Sequence, residues 1–125
     1  MIDHVSLAVA DLAKSTAFYE QALAPLGLTK LVAREGAGTG FGKRYPEFWL
    51  NSRPGLAPGP ETTGAHVCLR APSEEAVRRF HATALALGGR DAGEPGPRQG
   101  AFTTYFGAFI LDPDGNKIEA VNFPR

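Results

Sequence analysis

The spacing of apolar residues at the start of the chain predicts a β-strand followed by a helix. Between Ile2 and Val9, apolar side chains recur at every second position, which places them on one face of a strand: Val5, Leu7 and Val9. His4 falls on the opposite face. Asp11 is an N-cap residue, and the helical spacing after it predicts a helix to about Ala24.

The remainder of the first half predicts strands separated by turns. Pro25 and Gly27 end the helix, and a strand is expected over residues 28–34. The glycine-rich run 36–42 is interpreted as a flexible hairpin loop, because no helix pattern follows it as a phosphate-binding loop would require. Two short strands are expected at 41–44 and 47–51. Residues 52–64 contain three prolines and three glycines and predict a linker.

The second half of the chain repeats the first. With an offset of 62, residues 4–27 align with residues 66–89 without a gap, and eight of the 24 positions are identical. His4 matches His66, and the other identities fall mainly on the inward strand face, the apolar helix stripe and the helix stop. Those are the positions that a shared fold constrains, so the repeat indicates an internal duplication.

The second half is expected to have its own strand–helix–strand order. Ser73 caps a helix that ends at Gly88 and Gly89. The other predicted elements are strands at 65–71, 89–91 and 101–111, a loop at 92–100 and a final hairpin around residues 112–115. The chain is therefore predicted to be one α+β domain over residues 1–125. It contains two tandem β-α-β-β-β modules, at about 1–52 and 64–125, joined by a linker at about 53–63.

Three side chains of metal-ligating type occupy corresponding or facing positions in the two modules. His4 and His66 open the first strand of each module on its non-apolar face, and Glu119 lies opposite the apolar face of the last strand. Taken alone, Glu119 either faces solvent or takes part in chemistry, and the recurrence of the histidine favours chemistry. Two imidazoles and one carboxylate suit Fe(II), Mn(II), Ni(II) or Zn(II), with open positions where the metal acts as a Lewis acid.

Four segments resemble the vicinal oxygen chelate superfamily, which includes glyoxalase I, extradiol dioxygenases, fosfomycin-resistance transferases and bleomycin-resistance proteins. They cover Ile2-Asp3-His4-Val5, Phe18-Tyr19, Gly64-Ala65-His66-Val67 and Asp112-Pro113-Asp114-Gly115-Asn116-Lys117-Ile118-Glu119. The resemblance implies a curved mixed sheet around a cleft and a divalent metal at His4, His66 and Glu119. It also implies a small-molecule substrate and a homodimer in which His4 of one subunit faces His66 and Glu119 of the other. The sequence leaves open whether the cleft forms within one chain or between two.

The resemblance allows several reactions. A glyoxalase-like (lactoylglutathione lyase-like) isomerisation is favoured by analogy, and an extradiol-type dioxygenation or a thiol transfer would use the same three ligands. A metal-free drug- or metabolite-binding protein of the bleomycin-resistance type is the alternative outside enzymology, and a regulatory role with a vestigial cleft is a third.

Further residues are candidates for the site. Glyoxalase I has a fourth ligand, a glutamate, where this chain has Trp49; Glu47, two residues earlier, would replace it only in another register. Trp49 is a candidate pocket wall or a core residue. Tyr105 and Phe106 lie on opposite faces of their strand, and the sequence does not say which of them faces the cleft. If Tyr105 does, its hydroxyl would orient a substrate or donate a proton.

Cys68 shares a strand face with His66 and is a candidate pocket residue, although no neighbour that would activate its thiol is evident. Arg98, in the predicted loop, either pairs with an anionic substrate or is solvated. His81 is expected on the surface of the second helix.

Composition narrows the setting of the protein. Thirteen basic residues balance thirteen acidic ones, which argues against a nucleic-acid or anionic-membrane partner. No apolar run approaches the length of a membrane span, and the N-terminus does not resemble a signal peptide. A single cysteine cannot form an internal disulfide, so the expected location is the cytoplasm.

Overall fold

The computed structural model describes residues 1–59 and 63–124, so positions 60–62 of the predicted linker lie outside the described residues. The first module contains β1 (Val5–Val9), α1 (Leu12–Ala22), a 3₁₀ turn (Ala24–Leu26), β2 (Thr29–Arg34), β3 (Gly38–Gly42) and β4 (Phe48–Ser52). The second contains β5 (Val67–Arg70), α2 (Glu74–Ala86), β6 (Arg90–Gln99), β7 (Thr104–Leu111) and β8 (Lys117–Asn122). The two predicted tandem β-α-β-β-β modules are confirmed.

Each module forms a four-stranded mixed sheet, and the two sheets have the same topology. Their strand orders are β1-β4-β3-β2 and β5-β8-β7-β6. In each sheet the first and last strands of the module pair in parallel, and the other neighbours are antiparallel. The first strand of each module is therefore at an edge of its sheet, and each histidine precedes such an edge strand.

The two modules share one hydrophobic core. Phe18 and Tyr19 of α1 belong to the same buried cluster as Val77 and Phe80 of α2, together with the inward residues of both sheets. Because side chains alternate along a strand, the other face of each sheet points away from this core. We call the face of β5–β8 that points away from the core the outer face of the second sheet.

The turn between β7 and β8 joins the modules through Asp112, which is 1% exposed. Its carboxylate accepts hydrogen bonds from Tyr19 Oη at 2.6 Å, from Asn116 Nδ2 at 2.9 Å and from the backbone amides of Asp114 and Asn116. Asn116 Nδ2 also donates to the carbonyl of Ala8 in β1 at 3.0 Å. Burial raises the pKa of Asp112, while these donors partly oppose that shift. The turn residues predicted from sequence thus also hold the two modules together.

The expectation of a loop at 92–100 is wrong, because β6 runs through Pro95 and Pro97 to Gln99. Proline removes a ladder donor, so strands tolerate it at sheet edges and bulges. β6 is the edge strand of its sheet, and its pairing with β7 shifts register twice, between Asp91 and Gly93 and between Gly93 and Gly96. Both conditions that admit proline are met.

The glycine-rich run 36–42 is mostly strand β3 rather than a flexible loop, so the strand expected at 41–44 begins earlier and ends at Gly42. A Cβ atom on Gly40 would lie 2.9 Å from the Cβ of Pro46 and 3.0 Å from ring atoms of Trp49. Glycine in a strand often marks such a close approach. The glycine therefore makes room for the indole.

The expectation that His81 lies on the helix surface is also wrong. His81 is 7% exposed, and its Nε2 lies 2.9 Å from Asp91 Oδ1 at the start of β6. The hydrogen bond from His81 lowers the pKa of Asp91. The contact joins residues that helical spacing alone does not bring together, so the sequence pattern gave no sign of it.

Candidate functional site

The cross-strand register surrounds Glu119 with the other candidate residues of the second module. Cys68 in β5 is directly opposite Glu119 in the parallel pair, and Phe109 in β7 is opposite it in the antiparallel pair. Tyr105 shares the face of Phe109, four residues along β7, and His66 shares the face of Cys68. The outer face of the second sheet therefore gathers chemistry-bearing side chains around one carboxylate.

Glu119 is 4% exposed and its two carboxylate oxygens have separate partners. Oε1 lies 3.1 Å from His66 Nε2, and Oε2 accepts a hydrogen bond from Tyr105 Oη at 3.1 Å. Burial and the adjacent Glu119 raise the pKa of Tyr105, so the phenol keeps its proton at neutral pH. Tyr105, His66 and Glu119 thus form one hydrogen-bonded cluster on the outer face.

His4 lies outside that cluster and is held by its own neighbours. Its Nδ1 is 2.6 Å from Asp3 Oδ1, and Tyr45 Oη donates to the same carboxylate at 3.1 Å. The hydrogen bonds from His4 and Tyr45 lower the pKa of Asp3. Among the described residues, His4 Nε2 has no hydrogen-bond partner, which leaves that nitrogen available to a ligand.

The three expected metal ligands do not converge within one chain. Over residues 1–59 and 63–124, no three side chains of His, Cys, Asp or Glu are placed to hold a metal ion together. His66 and Glu119 are adjacent, whereas the exposed His4 is bonded to Asp3.

Two aromatic rings that the sequence did not single out flank the cluster. The Phe109 ring is 5.4 Å from the His66 ring, and the Phe123 ring is 5.4 Å from the Tyr105 ring, centre to centre. Phe109 lies on the outer face because side chains alternate along β7 and it is four residues from Tyr105. Assigning the strand register of the final hairpin from sequence would therefore have placed Phe109 beside Glu119. A pocket of about 370 Å³ lies beside Glu119, with the side chains of Phe102, Tyr105 and Phe123 among its walls.

Comparisons with known proteins agree with this architecture. Residues 1–120 match the model of the Glyoxalase/Bleomycin resistance protein/Dioxygenase superfamily. The chain belongs to this superfamily. No curated protein matches the chain in a sequence comparison.

Solved structures of the superfamily resemble the chain over nearly its full length. A glyoxalase/bleomycin resistance protein from Albidiferax ferrireducens is 33% identical, with a TM-score of 0.84 over 96% of this chain and 97% of that chain. A glyoxalase I variant from Zea mays is 26% identical, with a TM-score of 0.69 over 95% of this chain and 44% of that chain. A glyoxalase/bleomycin resistance protein/dioxygenase family enzyme from Burkholderia phytofirmans shares the fold at 17% identity and a TM-score of 0.69.

The register settles which residue of module one corresponds to Glu119 in this superfamily member. Ser6 pairs with Trp49 in β1–β4, as Cys68 pairs with Glu119 in β5–β8, and Ser6 and Cys68 are related by the repeat. Trp49 is half-buried, and its Nε1 donates to the Pro46 carbonyl at 3.1 Å. Glu47 is exposed and precedes β4. The position that carries Glu119 in module two thus carries an indole in module one.

Neither helix in the described part of the chain has the length and apolarity that crossing a bilayer requires.

Arg98 is half-buried in β6 and is directly opposite Tyr105. Its guanidinium donates to the Glu94 carbonyl at 2.6 Å. The strand therefore holds Arg98 next to the outer face, where the sequence suggested a loop residue.

Cys68 should be unusually slow to alkylate in the metal-free protein. Desolvation, and then the adjacent Glu119, raise the pKa of this thiol to about 12, although the residue as a whole is exposed. At pH 8 the thiolate fraction, and with it the iodoacetamide rate, is expected to be about 1,000-fold below that of a free cysteine. Mass spectrometry of alkylation against pH measures this directly, since Cys68 is the only cysteine. Glu119→Gln should speed the reaction; an ordinary cysteine rate in the parent protein would contradict the assignment.

Proposed function

We propose that the protein is a metal-dependent enzyme of the vicinal oxygen chelate type that acts on a small substrate with two adjacent oxygens. The observation that carries the proposal is the buried Glu119 carboxylate with His66 Nε2 at 3.1 Å. Burying a carboxylate is costly unless it is paired, and here its partners are an imidazole and a phenol rather than a lysine or arginine. An imidazole beside a carboxylate is a donor pair that suits Fe, Mn, Ni or Zn.

The third ligand in this proposal is His4 of a second copy of the chain. His4 Nε2 has no partner among the described residues, and the contact between Nδ1 and Asp3 orients the ring as a carboxylate orients metal-binding histidines. Since His4 does not reach His66 and Glu119 within one chain, the site would be completed in a homodimer. Each cleft would then combine module one of one subunit with module two of its partner.

The bound metal would supply Lewis acidity to the two substrate oxygens. The residues of the chain have distinct roles around it. Glu119 and His66 would hold the ion, and Tyr105, protonated at neutral pH, would orient Glu119 with its single O–H and accept a hydrogen bond from the substrate. The apolar walls of the adjacent pocket would limit access of water to the reacting atoms.

Among reactions of this type, we favour a glyoxalase-like isomerisation, because a glyoxalase I variant is among the similar structures. Extradiol-type dioxygenation and thiol transfer would use the same ligands. Glu47 would serve as the proton-transferring carboxylate only if it approaches the cleft of a partner subunit, since Trp49 occupies the position equivalent to Glu119. Glu47→Gln tests that role, with loss of turnover but retention of metal as the expected signature.

Mixing two inactive variants tests whether the site lies between chains. His4→Ala and His66→Ala should each lack metal, yet a co-expressed mixture of the two should regain about one quarter of a metal ion per chain. In the mixed dimer, one cleft has both histidines and the other has neither. A site within one chain would regain none, because every copy lacks one ligand. Metal content of the mixture, measured by mass spectrometry after size-exclusion chromatography, separates the two arrangements.

Metal-free binding of a small molecule is the second candidate function. It is favoured by the pocket beside Glu119, whose walls are mostly apolar, and by the absence of three converging ligands within the described residues of one chain. A drug- or metabolite-sequestering protein needs such a pocket and needs no metal. The mixing experiment and the metal content distinguish this candidate from the enzyme.

A further inference from the structure

Two cationic side chains stack on the aromatic ring next to His66. Lys117 Nζ lies 4.8 Å from the centre of the Phe109 ring, and Arg98 Cζ lies 5.9 Å from it. The same ring is 5.4 Å from the imidazole of His66. Stacking on an aromatic face holds a cation in place without neutralising its charge. Two positive charges are thus held beside the proposed metal ligand His66.

A third cation occupies the other side of the cluster in the same manner. Arg70 Cζ lies 5.1 Å from the centre of the Phe123 ring. Phe123 packs against Tyr105, whose hydroxyl is bonded to Glu119. Positive charge therefore flanks the Glu119 carboxylate from two directions, each time through an aromatic ring.

The charge on this face is set by three cations and by Glu119. In the described part of the chain, neither Arg70, Arg98 nor Lys117 forms an ion pair with a carboxylate. Lys43 and Arg44 likewise form no ion pair among the described residues, whereas Lys30 pairs with Glu20 at 3.4 Å. The chain as a whole is electrically balanced. Three cations thus flank one carboxylate, Glu119, which itself lines the pocket, so the local charge is positive and would attract an anion into the cleft.

The pocket beside Glu119 adds an apolar requirement. Its walls include the rings of Phe102, Tyr105 and Phe123, and most of its lining is apolar. Phe102, in the turn between β6 and β7, is 100% exposed at the pocket. An isolated exposed aromatic residue needs no explanation, but one that lines a pocket with two other rings indicates a surface for a planar apolar group.

We propose that the natural substrate or ligand of this cleft is a small aromatic carboxylate. Its ring would pack against Phe102, Tyr105 and Phe123, and its carboxylate would lie within the field of Arg70, Arg98 and Lys117. The inference rests on the proposed function in that it places this ligand in the same cleft, and it adds the chemical class that the cleft selects. In this arrangement the metal would bind the two adjacent oxygens of the ligand. The cations of the protein, rather than the metal, would recognise its negative charge.

The test compares two probes that differ in charge and little in shape. Binding of 4-fluorobenzoate and of 4-fluorobenzamide to the protein, after removal of metal with a chelator, is followed by fluorine NMR. The carboxylate is expected to bind at least about ten-fold more tightly than the amide. Arg70→Gln, Arg98→Gln and Lys117→Gln should each weaken carboxylate binding by about three- to ten-fold and leave amide binding unchanged. Arg79→Gln, on the exposed face of α2, is the matched control and should bind both probes as the parent does.

Each outcome decides the proposal. Equal affinity for the two probes, or an unchanged preference in a folded variant lacking all three cations, would overturn it. Circular dichroism confirms that each variant is folded. Because the titration uses metal-free protein, no bound metal contributes to the preference. Loss of the preference in a protein that still binds metal would refute the substrate class and leave the proposed function intact. A preference for the carboxylate in a protein that never binds metal would support the ligand class and refute the enzyme.

Discussion

Replacing Glu119 with glutamine should reduce the affinity for the divalent metal by at least about 100-fold. Removing a hydrogen-bond partner of a metal ligand typically lowers metal affinity by about 10- to 100-fold, and removing a ligand itself should cost more. Glutamine keeps the size of the side chain and still accepts the hydrogen bond from Tyr105, so the fold should persist. The amide, however, cannot supply the charge that a divalent ion requires. Competition with a chromophoric chelator measures the affinity, and turnover should fall in parallel.

Tyr105→Phe is the control that separates the ligand from its neighbour. It removes the hydrogen bond to Glu119 Oε2 and leaves the carboxylate in place. Metal affinity is expected to fall by about ten-fold, within the range for an outer partner of a ligand. A Glu119→Gln variant that binds metal as tightly as the parent would show that Glu119 is not a ligand.

The second large effect is expected at Asp112, on stability rather than on chemistry. Asp112→Ala should lower the free energy of unfolding by about 3 kcal/mol or more, because buried donors lose their shared acceptor. Tyr19, which is fully buried, would retain a hydroxyl without that partner. Urea unfolding at a fixed protein concentration measures the loss, since a dimer couples stability to concentration.

Two further variants bound the interpretation of that result. Tyr19→Phe removes one donor together with its need for a partner, and should cost about 1 kcal/mol. Glu35→Ala, at an exposed position, should change stability by less than about 0.5 kcal/mol. If Asp112→Ala cost no more than Glu35→Ala, the turn between β7 and β8 would not hold the modules together as described.

Much of the fold could be predicted because the repeat and the local patterns agree. The helix caps at Asp11 and Ser73 accept hydrogen bonds from backbone amides of the first helical turns, as their residue types predict. The alternation that placed Glu119 opposite the apolar face was confirmed, with Ile118 and Ala120 buried in the core. Local chemistry determined these features, so a single sequence contained them.

The failures have a common physical origin in contacts between distant residues. Pro95 and Pro97 predicted a loop because proline disfavours strands, and the edge position and register shifts of β6 make them acceptable. Gly40 is needed because Trp49 lies over it, and His81 is buried because Asp91 is its partner. The cations around Glu119 also went unrecognised, apart from Arg98, since their aromatic partners come from other strands or from the chain end. Pairing between strands cannot be derived from periodicity within one strand.

Metal content is the measurement that tests the central claim most directly. The purified protein, and samples reconstituted separately with Mn, Fe, Ni and Zn, are analysed by inductively coupled plasma mass spectrometry beside His66→Ala. The account predicts about one metal ion per chain in the parent and a small fraction of that in the variant. Less than about one tenth of an ion per chain under every condition, or equal content in the folded variant, would contradict the metalloenzyme and favour a metal-free binding protein.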